Sequence, residues 1–213
     1  MKLPASNGAD FTQPPAGTHV AICYRVIDLG TQESEYKGEK KRQHKVLVSW
    51  ELPSELIPDG DHKGEPFTQH QRYTLSSHEK ATMRKHLESW RGRAFTEAEL
   101  ETFDMKNMLG KPCFLNLIHE TRGGKTYCNI AAIMALPKGT PVPALKNPSQ
   151  YLSLEGMLDS DFDAVMGKLS DGLRETIKKS PEYNELMNRR SRPAEHIAEA
   201  ANGAPDMDDE IPF

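Results

Sequence analysis

A chain of 213 residues with 37% hydrophobic and 27% charged residues has room for one good domain with appendages, built on a modest core. Its net charge of −4 argues, taken as an average, against a nucleic-acid binder. The average misleads, because six of the 31 acids (Glu195, Glu199, Asp206, Asp208, Asp209 and Glu210) fall after position 194 with no Lys or Arg beside them, leaving 25 acids against 27 bases and a body of about +2.

No apolar run reaches the length of a membrane span, and Met1–Gly17 lacks the apolar centre of a signal peptide. A protein free in the cytoplasm is expected. Cys23, Cys113 and Cys128 are odd in number, lack C-x-x-C spacing and sit in apolar runs, which predicts buried free thiols.

Residues 1–17 are rich in Pro, Gly, Asn and Ala and read as a flexible arm. Thr18–Leu29 alternates as a strand, with Val20, Ile22, Tyr24 and Val26 on one face and Ala21, Cys23, Arg25 and Ile27 on the other. A long basic loop, Thr31–Arg42, leads to a second strand, Gln43–Leu52, where Val46, Val48, Trp50 and Leu52 oppose Lys45, Leu47 and Ser49. Glu65–Leu75 is a third, more polar strand, with Phe67 and Tyr73 on one face and His70 and Arg72 on the other. Ser77 offers an N-cap for a helix over Glu79–Trp90 that Arg91-Gly92-Arg93 stops. Thr96 and Glu99 form a capping-box pattern for a short helix carrying Leu100 and Phe103.

Two further strands, Cys113–Glu120 and Lys125–Leu136, flank Arg122-Gly123-Gly124, a hairpin signal. Residues 137–160 carry four prolines between Pro137 and Pro148 and read as an extended connector; residues 161–190 read as a helical appendage, with one helix over Asp161–Lys179 and another opened by Pro181. Residues 191–213 are expected to be a disordered acidic tail.

Three strands, a helical segment and two strands match the OB-fold, so the expected fold is mainly β: a five-stranded OB barrel spanning 18–136 with a helical segment between strands 3 and 4. An SH3-like barrel also fits the short strands.

Single-stranded nucleic acid needs cations along a backbone track and flat rings for its bases. The first hairpin loop supplies Tyr36, Lys37, Lys40, Lys41 and Arg42, and the last supplies Arg122, Lys125 and Tyr127. The strand surface between offers Arg25, Lys45, Arg72 and Tyr73, and Trp50 if its face is the open one, although its period-two spacing from Val46 and Val48 favours the core. Enzyme signatures are missing. His78-Glu79 has no second His for a zinc site, no glycine-rich phosphate loop or G-x-S-x-G elbow occurs, and Asp159, Asp161 and Asp163 lack the glycine and closing Glu of a calcium loop. A non-enzyme without cofactor or metal is expected.

The tip Asp206-Met207-Asp208-Asp209-Glu210-Ile211-Pro212-Phe213 puts four carboxylates ahead of an Ile-Pro-Phe terminus. It resembles the C-terminal peptide of bacterial and phage single-stranded DNA-binding proteins. The body, with Arg91-Gly92-Arg93-Ala94-Phe95-Thr96 through Leu109-Gly110-Lys111, is similar to the phage-encoded members. The resemblance implies a protein that coats exposed DNA strands without sequence specificity in replication, recombination or repair. It implies that Asp206, Asp208, Asp209 and Glu210 steer, and Ile211, Pro212 and Phe213 anchor, partner proteins of those processes. The connector and helices replace the bacterial Gly/Gln-rich linker, which leaves the homo-oligomeric state open. The rival is an adaptor whose barrel binds protein and whose tail mimics that tip.

Overall fold

The computed structural model describes residues 12–36, 38–155 and 161–191. The acidic tail, Lys37 and the side chain of Tyr36 lie outside the described residues. Five antiparallel strands, β1 (Gly17–Tyr36), β2 (Glu39–Leu56), β3 (Pro66–Thr74), β4 (Pro112–Arg122) and β5 (Lys125–Met134), pair in the order β3-β2-β1-β4-β5. A short β6 (Gln150–Leu152) joins β1 in parallel. Helices α1 (Thr82–Arg91) and α2 (Glu97–Thr102) and a 3-10 turn (Met105–Met108) fill the β3–β4 connection; α3 (Phe162–Lys168), α4 (Asp171–Lys178) and α5 (Pro181–Ser191) follow β6.

The mainly β class and the helical β3–β4 connection match expectation. The closed five-stranded barrel does not: the sheet has six strands and is open, with no ladder between β3 and β5 among the described residues. Its edges still curl toward each other, because the Gln69 side-chain amide on β3 donates to the Cys128 carbonyl on β5 at 2.8 Å and α1 packs on both strands.

Periodicity placed the strands well and their ends badly. β1 and β2 continue through the expected basic loop to Tyr36 and back from Glu39, turning at Gly38 with φ 81°. Polar residues at 31–36 and 39–45 are compatible with a solvated ribbon, and cross-strand pairs such as Glu33 with Arg42 (3.4 Å) decorate it. A β-bulge corrects the face assignment in β1. Cys23 stands opposite Trp50 and Arg25 opposite Ser49, so Tyr24 is the extra residue. The slip turns Arg25 and Ile27 away from Cys23 and brings Val26 onto the core face with Ala21 and Cys23.

The main core gathers Val46, Val48, Trp50 and Leu52 of β2 with Phe67, Tyr73, Leu115, Leu117 and Ile133 under Met83 and Leu87 of α1. Trp50 is 0% exposed and tilts against Trp90 with centroids 5.9 Å apart. Burying a ring of that size removes roughly 150–250 Å² from water, about 4–6 kcal/mol at 25 cal/mol per Å². All three cysteines are free thiols; Cys23 and Cys113 are buried in this core, and burial pushes the Cys23 thiol up to about 12.

Helix α1 begins at Thr82 rather than after Ser77, with Ala81 at the N-cap position and no side-chain cap. Ser76 and His78 instead hold a turn, accepting from the amides of His78 and Lys80. Gly92 ends the helix in the left-handed region, donating to the Glu88 and Ser89 carbonyls, and the Thr96–Glu99 capping box forms on α2.

A second core forms on the other face of the sheet. Ile27, Leu29 and Leu47 pack against Leu152, Leu154, Phe162, Val165, Leu169, Ile177 and Leu186. The single helix expected over 161–179 breaks at Leu169 and Ser170, where Leu169 turns extended to bury itself and Ser170 opens α4. Gly30, at φ 66°, presses on the α4–α5 joint so closely that a Cβ there would sit 2.4 Å from the Ser180 Cβ. Beside it, His44 Nε2 meets Asp28 at 2.6 Å, and Glu182 accepts from the Thr31 amide and hydroxyl at 2.8 and 2.5 Å. The connector is held too: fully buried Glu51 accepts from the Lys146 and Asn147 amides at 2.9 and 2.7 Å and from Asn147 Nδ2 at 2.6 Å.

Candidate nucleic-acid interface

Alternation along β2 sends Val46 into the core and leaves Lys45 half-buried at the sheet margin, where its Nζ donates to Gln43 and to Thr74 of β3 at 2.8 and 2.7 Å. Both partners are neutral, so the ammonium keeps its charge for a ligand. Lys45, Arg72, His78 and Lys80 line an open groove of about 480 Å³ together with Gln43, Gln71, Thr74, Ser76 and the first residues of α1. No carboxylate lines it. The uncapped start of α1 adds the positive end of a helix dipole to the same wall.

From the groove, β2 runs to the exposed Lys40, Lys41 and Arg42 at the hairpin. Of these, Arg42 pairs at 3.4 Å with Glu33, an exposed contact that water and salt weaken. The other hairpin exposes Arg122, Lys125 and Tyr127, the last 47% open, with Arg122 on Glu120. By register the two hairpins extend from opposite ends of β1: β4 pairs with residues 17–22 and continues to Arg122, whereas β2 pairs out to Tyr36.

Two expected rings are corrected. Trp50 belongs wholly to the core. Tyr73 is 4% exposed; its hydroxyl shares a hydrogen bond with His86 Nδ1 at 2.8 Å, and burial drives its phenol well above the ordinary tyrosine value. Neither ring has a face open for a base. Arg72 is exposed, and Arg25 is half-buried on the face opposite the main core. The expectations for Tyr36, Lys37 and the tail from Asp206 to Phe213 fall outside the described residues.

Sequence reasoning missed His78, Lys80, Ser76 and Gln43. The polar run Ser76-Ser77-His78-Glu79-Lys80 was the available signal, but the capping rule spent it on a helix start. Among the described residues, no group of three or more His, Cys, Asp or Glu could hold a metal ion, and no helix is long and apolar enough to cross a membrane. No family model matches the chain, and no curated protein matches it.

Proposed function

We propose that the chain is a single-stranded DNA-binding protein, coating exposed strands without sequence preference during replication, recombination or repair and recruiting partner proteins through its acidic tip. The observation that carries this reading is the carboxylate-free groove of Lys45, Arg72, His78 and Lys80, continuous along β2 with the open bases Lys40, Lys41 and Arg42. A polyanion entering such a track releases counterions from both partners, which makes binding tight at low salt and indifferent to sequence. The strand order and the near meeting of β3 and β5 support an OB-type curl of the sheet. Half-open Tyr127 supplies a stacking surface.

The test is an anisotropy titration of labelled single-stranded and duplex oligonucleotides across a salt series. Wild type should prefer the single strand, and reversing Lys40, Lys41 and Arg42 to Glu should lower the slope of log affinity against log salt by about 2. Salt-insensitive binding, equal binding of duplex, or no loss in the triple variant overturns the reading. For the tip, removing residues 206–213 should abolish capture of replication and repair proteins while strand binding persists.

A further inference from the structure

On the face opposite the main core lies a polar row that shares only Arg72 with the groove. Register sets Gln150 of β6, Arg25 of β1, Ser49 of β2 and His70 of β3 side by side, and Arg72 follows on the same face of β3. Arg25 is poorly satisfied. Its Nε is buried without a hydrogen bond, no carboxylate pairs with it among the described residues, and its guanidinium rests 5.2 Å from the centre of the Tyr24 ring. Its two row neighbours do not relieve it, since Ser49 Oγ and Gln150 Oε1 are themselves buried without partners in residues 0% and 8% exposed. One N–H of a half-buried guanidinium shut from water without an acceptor costs free energy, and Arg72 on the same face adds repulsion. Such a cluster is stabilised by an anion.

We propose that this row is a phosphodiester site, in which Arg25 and Arg72 take the non-bridging oxygens of one backbone phosphate and His70 donates a third hydrogen bond. The proposal rests on the nucleic-acid reading above and adds to it a fixed phosphate position and a proton. Two strand spacings, roughly 10 Å, separate the Arg25 and His70 backbones, a gap that an arginine stem spans. His70 is exposed at its edge, yet burial of its ring, then the charges of Arg25 and Arg72, hold its imidazole below the ordinary histidine value. The charged groups acting on it are Arg25 from β1 and Arg72 from β3; β6 presents neutral Gln150, and β2 presents neutral Ser49 and, two residues along the same face, the buried Glu51 carboxylate held by Lys146 and Asn147. A phosphate between the two guanidiniums cancels their repulsion, so strand binding draws a proton onto His70.

The test uses the full chain and fluorescein-labelled oligothymidylate, from about pH 5.5 to about pH 8. Wild type, Arg25→Gln, Arg72→Gln and His70→Gln are compared with Lys63→Gln, a remote basic control on the β2–β3 loop. Arg25→Gln and Arg72→Gln should each weaken binding about tenfold and lower the salt slope by roughly 0.7. Wild-type affinity should climb as pH falls, and His70→Gln should flatten that climb. In NMR titrations the His70 imidazole should move to a higher pKa on saturation with the oligonucleotide, a change that a structural role would not produce. Thermal melts verify folding, and the pH profile of His70→Gln, at an exposed residue outside the groove, keeps the test valid if Arg25→Gln unfolds. If wild type binds while Arg25→Gln and His70→Gln match Lys63→Gln in affinity and pH profile, the site is wrong and the nucleic-acid reading stands. If wild type binds no oligonucleotide, both fall.

Discussion

Replacing Glu51 tests how firmly the connector belongs to the sheet. Its carboxylate is 0% exposed and takes three N–H donors from Lys146 and Asn147. Hydrogen bonds to a charged group are worth about 1.5–3 kcal/mol each, but the connector can swing into water and rehydrate its amides, so the losses will not add. Glu51→Ala should therefore cost about 3–5 kcal/mol, below the roughly 4.5–9 kcal/mol to which three such bonds would sum. Glu51→Gln keeps an acceptor oxygen but turns an amide toward an N–H, for about 2 kcal/mol. At about 2–4 °C per kcal/mol for a chain of this size, the Ala variant should melt roughly 6–20 °C lower. Urea melts give the free energies, and hydrogen exchange over Lys146–Leu152 tells whether the loss begins there. Both variants within about 0.5 kcal/mol of wild type, with unchanged exchange at the connector, would refute the reasoning.

The latch at His44 should make helix docking pH-dependent. The hydrogen bond to Asp28, opposed by burial and aided by the charges of Asp28, Glu182 and Glu155, raises its imidazole above 6.5, so its stabilisation is complete below that pH and fades as pH rises through the folded value. Melting temperature should fall from about pH 6 to about pH 9, and His44→Gln should flatten the fall. For Glu182 burial works upward, but the Thr31 hydrogen bonds and His44 outweigh it and lower the carboxyl, so its share is lost as pH drops below 4.5; Glu182→Gln should remove that acid limb from the same melts. Gly30→Ala meets a positive φ and the Ser180 Cβ at 2.4 Å, and should cost about 2–4 kcal/mol in urea melts. Tyr127→Ala should weaken oligonucleotide binding by roughly 1–3 kcal/mol while Trp50→Phe leaves it unchanged in the same anisotropy assay; equal losses would contradict the assignment of the rings.

Much of the fold was legible because period-two patterns report burial directly: Val46, Val48, Trp50 and Leu52 read as one face and form one face. The β1 face assignment failed at Tyr24 because a bulge is a property of pairing, and nothing in Cys23-Tyr24-Arg25 marks it. The ribbon beyond Gly30 was read as a loop since its residues are polar, yet its partners lie far along the chain at Thr176 and Glu182. β6 is three residues long and was invisible for the same reason. At the candidate interface, charge was easy to read and exposure was not. Lys40, Lys41, Arg42 and Tyr127 are open where expected, whereas Trp50 and Tyr73 carry the right chemistry on the wrong face.

The C-terminal helices acquire a role from what the ribbon lacks. β3 pairs with β2 only as far as Lys45, and β4 and β6 flank β1 only through Ile27, so the β1–β2 ribbon, with Lys40, Lys41 and Arg42 on its β2 strand, leaves the sheet unsupported. An isolated two-stranded ribbon is marginal in water. The Gln32 side chain donates to the Thr176 carbonyl at 3.0 Å, Thr31 donates to Glu182, and Gly30 seats Ser180, so α4 and α5 brace the ribbon at its base. On β2 the brace and the groove are adjacent residues, His44 holding the first and Lys45 lining the second. A track fixed before the strand arrives loses less conformational entropy on binding than one ordered by it. On the proposed function, α4 and α5 would thus raise affinity for nucleic acid from outside the groove, and loosening them at His44, Glu182 or Gly30 should weaken binding along with stability.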